Sequence, residues 1–135
     1  MSQENVEAFE RAIEAGGRFD VAALLEELDP HVEWHPALPA SLGGQTTVYW
    51  GHEGARKLIS DFEEVFAESQ MEFSEIRDLG DRIVAFGRIR NRGKGSGAAV
   101  ESHLAYVVEF KNGKATRIRA YLDPKEALEA AGLSE

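Results

Sequence analysis

The spacing of apolar residues changes along the chain from a helical to a strand period. In Gln3–Ala15, Val6, Phe9, Ala12 and Ile13 fall on one stripe, and Gly16-Gly17 ends it. A second helix is predicted with Asp20 as its cap and Val21, Leu24, Leu25 and Leu28 as its buried stripe, stopped by Asp29-Pro30. His31–His35 reads as a short strand with Val32 and Trp34 on one side. Pro36, Pro39 and Gly43-Gly44 make Pro36–Thr47 a loop, of a length uncommon unless it serves a purpose such as covering a binding site. Tyr49–Gly54 leads into a third helix, through about Ala67, with Leu58, Ile59, Phe62, Val65 and Phe66 on its apolar side.

From Met71 the pattern alternates. Glu72–Asp78 and Arg82–Arg92 are predicted strands around Gly80-Asp81, and Gly93–Gly97 links the second of them to another hairpin. That hairpin, Ala98–Phe110 and Ala115–Leu122, turns at Asn112-Gly113, which supplies the positive φ angles a tight turn needs. Leu104, Tyr106, Val108 and Phe110 make one face of its first strand, against Glu101, His103 and Glu109 on the other. Ile118, Ala120 and Leu122 oppose Arg117 and Arg119 in the second strand, and Pro124–Ala131 closes the chain as a short helix. Three amphipathic helices and an apolar sheet face cannot all be buried by helix-on-helix packing alone. Laying the helices across a curved sheet buries both and leaves a cone-shaped hollow.

Composition narrows what such a fold does. A chain of 135 residues suits a single domain, 1–135, and the 43% hydrophobic and 29% charged fractions are ordinary for a globular protein. The absence of cysteine removes disulfides, thiolate metal sites and cysteine nucleophiles. A net charge of −9 argues against nucleic acid as a partner. The cluster Arg82, Arg88, Arg90, Arg92 and Lys94 reads as a solvated strand edge. No apolar run approaches the about 20 residues of a membrane span, and the polar, acidic start is unlike a signal peptide. A cytoplasmic protein without membrane contact is expected.

Phe19–Leu25, Asp29–Trp34, Gly51-His52-Glu53-Gly54, Asn112-Gly113-Lys114 and Tyr121-Leu122-Asp123, in that order and spacing, resemble the SnoaL-like (polyketide-cyclase-like) group of the NTF2-like superfamily. The resemblance runs over residues 3–133. It implies an α+β fold: a cone-shaped barrel with three N-terminal helices on a curved, mostly antiparallel sheet and a short C-terminal helix. It further implies a homodimer through the outer sheet face and a pocket for a small, largely apolar molecule. Relatives include polyketide cyclases, ketosteroid isomerases, dehydratases, epoxide hydrolases and non-catalytic binding domains, so fold does not decide function.

Two residues are candidates for catalysis. The resemblance implies that Asp123, after the last strand, is a general acid/base, and a carboxylate at an apolar rim would have the raised pKa that suits the role. Asp123-Pro124-Lys125-Glu126 is equally a helix start with Asp as cap. Tyr106, on the apolar face of its strand, either donates to a ligand carbonyl or bonds another strand as a core residue. Ligand contacts are expected from Trp34, Tyr49, Leu58, Phe62, Phe86, Leu104, Val108 and Ile118, with either Tyr49 or Trp50 pointing inward. Arg88 shares parity with Val84 and Phe86, and is expected to reach the pocket or to emerge at the barrel rim.

Metal binding is not expected. His31 and His35 lie on a strand, His52-Glu53 lacks a second histidine, and His103 belongs to a charged face, assigned with Val107 and Arg119 to the dimer contact. The ketosteroid-isomerase pattern is also absent, because His35-Pro36 stands where that base aspartate would be. Two functions follow: a cofactor-free cyclase, isomerase or dehydratase using acid/base chemistry, or a non-catalytic ligand-binding or dimerisation module.

Overall fold

The computed structural model describes residues 2–37, 48–95 and 97–133. Its elements are α1 (Ser2–Gly17), α2 (Val21–Glu26), β1 (Leu28–His35), β2 (Tyr49–Trp50), α3 (Gly51–Val65), β3 (Phe66–Asp78), β4 (Arg82–Gly93), β5 (Ala99–Lys111), β6 (Lys114–Tyr121) and α4 (Pro124–Ala130). The strands form one curved, open sheet in the order β2-β1-β6-β5-β4-β3. All neighbours are antiparallel except β1 and β6. This is the α+β architecture expected from the alternation and the resemblance. Most of the Pro36–Thr47 loop lies outside the described residues.

Two element boundaries differ from the sequence pattern. β1 begins at Leu28 and runs through Asp29-Pro30, where helix termination alone was expected. The ladder to β6 shifts register between Leu28 and Glu33, so Pro30 sits where its missing N–H costs little. β3 begins at Phe66, while Ala67–Gln70 carries no obvious strand signal. Pairing with Arg90–Gly93 of the longer β4 draws this segment into the sheet.

The sheet separates two apolar clusters. Above it, α1, α2 and α3 pack Phe9, Leu24, Leu25, Ala55 and Ile59 against Ile83, Ala85, Ile89, Leu104, Tyr106 and Val108. Below it, Ala127 of α4 and Ala131 at its C-cap sit on Val84, Ala105 and Val107. β4 and β5 are thus buried on both faces, and Leu104–Val108 is an unbroken buried run. Asn5 ties α1 to the β3–β4 turn, its Nδ2 donating to Gly80 O at 3.1 Å.

Two local devices shape the sheet. Asn112 and Gly113 have φ of 54° and 78°, the double positive turn predicted for the β5–β6 hairpin. β3 shifts register between Phe73 and Glu75, and there its backbone presses on Gly87. A Cβ at Gly87 would lie 1.9 Å from Glu72 O, so only glycine fits.

Candidate functional site

Between the helices and the upper sheet face lies a cavity of about 90 Å³. α1 contributes Phe9, Ala12 and Ile13; α3 contributes Leu58, Ile59 and Phe62. The floor is Leu104, Tyr106 and Val108 from β5 with Ile118 and Ala120 from β6, and Trp34 of β1 closes one side. These positions meet because strand residues of one parity share a face while each helix turns its three-and-four stripe toward them. The volume falls short of the ~150 Å³ of an engineered apolar cavity that admits benzene.

Few polar groups border this space. Tyr106 is buried, and that burial pushes its phenol pKa up to about 12. Among the described residues its hydroxyl finds only Met71 Sδ, at 3.9 Å, a weak acceptor. Phe9 and Phe73 flank its ring at 5.9 Å. Neutral and donor-competent, it suits hydrogen-bond donation rather than proton abstraction. Ser69 of β3, only 4% exposed, also borders the cavity, and its Oγ has no hydrogen-bond partner among the described residues. A buried hydroxyl left so costs about 1–3 kcal/mol. Glu27 completes the set, its carboxylate clamped by Arg11 through Nε at 3.0 Å and Nη2 at 3.1 Å.

A model of the SnoaL-like domain matches residues 6–118. The chain belongs to the SnoaL-like domain family. No curated protein matches it. Among solved structures, an NTF2-like protein of unknown function from Burkholderia pseudomallei is 25% identical, with 93% of this chain and 95% of that one covered at a TM-score of 0.78. TerC co-crystallised with polyporic acid is 24% identical over 96% and 98%, at 0.76. A protein from a Jannaschia species described as a SnoaL-like polyketide cyclase is 17% identical over 99% and 95%, at 0.75.

Within this SnoaL-like chain the candidate residues separate into two groups. Trp34, Leu58, Phe62, Leu104, Tyr106, Val108 and Ile118 border the cavity, whereas Tyr49, Phe86, Arg88 and Asp123 do not. Asp123 is exposed and caps α4, its Oδ1 accepting from Lys125 N at 2.9 Å. The capping alternative therefore describes its contact, and its carboxylate lies outside the cavity wall. Arg88 and Phe86 lie on the lower face: Arg88 pairs with Glu101 at 2.8 Å, and Phe86 packs under α4 with Arg77 5.5 Å above its ring. The parity shared with Val84 points all three away from the hollow. Tyr49 is half-buried and donates to Asp61 Oδ2 at 3.2 Å, while Trp50 is 62% exposed. Neither lines the cavity. The surface assigned to a second copy also changes, since Val107 is 0% exposed beneath α4.

Ser69, Met71 and Glu27 were missed. Ser69, Met71 and Phe73 do alternate with Gln70 and Glu72, but the preceding helix pattern masks the start of that strand. No local signal marks Glu27, which meets the cavity only because the α2–β1 junction folds over it.

Proposed function

We propose that this protein binds a small, largely apolar molecule in the cavity between α1–α3 and the upper face of the sheet. The observation that carries the reading is the hollow itself: aliphatic and aromatic walls, a neutral phenol and one unpaired hydroxyl. Binding sites are built this way, mostly apolar with a few placed polar groups. Polyporic acid in TerC and the cyclase description of the Jannaschia protein are compatible with such a ligand class. A polycyclic ligand would require Phe62, Trp34 or α1 to move, because the space as it stands is smaller than the ~150 Å³ that holds a single benzene in an engineered apolar cavity.

Titrating the full chain with a small hydrocarbon, followed by amide chemical shifts, tests this. Saturable shifts concentrated at Phe9, Leu58, Leu104 and Tyr106 are expected. Absence of any saturable shift overturns it.

A cofactor-free isomerase, cyclase or dehydratase is the second reading, and one observation favours it: Glu27 and Tyr106 border the same space, a carboxylate and a hydrogen-bond donor. Turnover of an enolisable ketone that disappears in Glu27→Gln, with the fold retained, would establish it. A second copy, as the family resemblance implies, would have to seat on the lower face without Val107. Sedimentation equilibrium showing only a 14.9 kDa species at micromolar concentration excludes that dimer.

A further inference from the structure

Resting on the cavity-binding reading, we propose that the ligand is an uncharged, oxygenated molecule no larger than one small ring, a ketone or alcohol, whose oxygen hydrogen-bonds Ser69 Oγ. Ser69 is the buried polar residue in the cavity wall whose side-chain oxygen lacks a partner. Its backbone is held in the ladder opposite Asn91, whose Oδ1 is likewise buried without a partner among the described residues, so the strand presents an unmet polar pair at this edge of the hollow. A hydroxyl kept dry and unpaired beside an apolar space is what a ligand oxygen would satisfy.

The neighbours define the rest of the molecule. Ser69 precedes Met71 by two residues on the same face of β3, about 7 Å along the strand. Because the Tyr106 hydroxyl rests on Met71 Sδ at 3.9 Å, both hydroxyls stand toward the same end of the hollow. That thioether contact is weak enough for Tyr106 to exchange it for a ligand oxygen. No lysine, arginine or histidine lines the cavity among the described residues, and the carboxylate there, Glu27, is already engaged by Arg11. A carboxylate ligand would meet no counter-charge and would lose its hydration. Hence the oxygen must be neutral, and the remainder a compact hydrocarbon.

The test compares cyclopentanone with methylenecyclopentane, its shape-matched hydrocarbon, and with cyclopentanecarboxylate, each titrated into the full chain by NMR. Cyclopentanone is expected to bind about tenfold more tightly than the hydrocarbon, the value of one added hydrogen bond at its upper range, with no saturable binding of the carboxylate. In Ser69→Ala, with the fold checked by circular dichroism, that preference should fall to about onefold while hydrocarbon affinity holds. The free variant should also melt no lower than the parent, because it removes an unpaired hydroxyl. Equal binding of ketone and hydrocarbon by the parent, a ketone preference that survives Ser69→Ala, or tight carboxylate binding each overturns the proposal while leaving the cavity reading intact. Failure of all three probes to bind overturns both.

Discussion

The upper and lower faces of β5 place successive residues in contrasting surroundings. Leu104, Tyr106 and Val108 floor a hollow, while Ala105 and Val107 are sealed beneath α4 with no space left. The covering elements differ as well. Above, three helices converge on a curved sheet and cannot fill the concavity with the side chains they carry. Below, one short helix lies flush on the sheet through small residues, Ala127 and the C-cap Ala131. Beyond α4 the lower face is ionic: Glu33 pairs with His35 and with Arg117 at 3.1 Å, and Glu109 meets Arg117 at 3.6 Å and Arg119 at 3.5 Å. Solid packing and exposed ion pairs hold the lower face, whereas the upper face keeps volume and an unpaired hydroxyl. Spare volume and unmet hydrogen-bonding capacity lower stability, so an apolar hollow beside a buried, unpaired hydroxyl marks where binding is to be sought.

The largest effect is expected where the sheet acquires its curvature. Gly87→Ala drives a methyl into the Glu72 carbonyl, and should cost roughly 3 kcal/mol or more in urea unfolding. A cost under about 1 kcal/mol would mean that β3 can shift, and that the hollow is less sharply defined than it looks.

A matched pair of enlargements separates the faces directly. Ala105→Leu, on the solid face, should destabilise by about 1–3 kcal/mol. Ala12→Leu, at the cavity wall, should be neutral or stabilise by about 0.5–1 kcal/mol and abolish probe binding. Equal penalties at both sites would erase the distinction.

Asp123→Ala separates the capping role from the acid/base one. Loss of the α4 cap should cost about 1 kcal/mol, with probe affinity unchanged.

The smallest effects are pH-dependent. Tyr106 has a folded-state pKa raised to about 12 against an ordinary 10.0, so the protonated phenol is favoured in the native state. Its contribution is full below pH 10.0 and is lost as pH rises toward about 12, and Tyr106→Phe should remove that share of the alkaline loss. In a 295 nm titration this tyrosine should ionise near pH 12. On the other face, the His35 hydrogen bond, with Arg117 adding its charge, holds Glu33 below its ordinary 4.5. Its contribution is present above pH 4.5 and is lost as pH falls below it, so Glu33→Gln should flatten the acid limb.

Much of the fold was legible because periodicity is a local property. The stripe of α1, the alternation of β5, the Asn112-Gly113 turn and the Asp123-Pro124 helix start each lie within a few neighbouring residues. The candidate site was legible only in part. β5 has one apolar and one mixed parity at its ends, so its inward set could be read directly. β4 offers two apolar parities, Ile83, Ala85 and Ile89 against Val84 and Phe86, and nothing within the strand ranks them. Cross-strand register does: Ala85 stands opposite Tyr106 and Gly87 opposite Leu104, and opposed residues share a face. That partnership turns Phe86 and Arg88 downward.

The sequence by itself determined the order of elements, the helical and strand periods, and the apolar character of the buried positions, since each depends on near neighbours along the chain. Tertiary structure alone decided that the hollow is small, that α4 covers Val107, and that Ser69 is buried without a partner. Those features depend on how much space converging elements leave between residues distant in sequence, which no local pattern encodes.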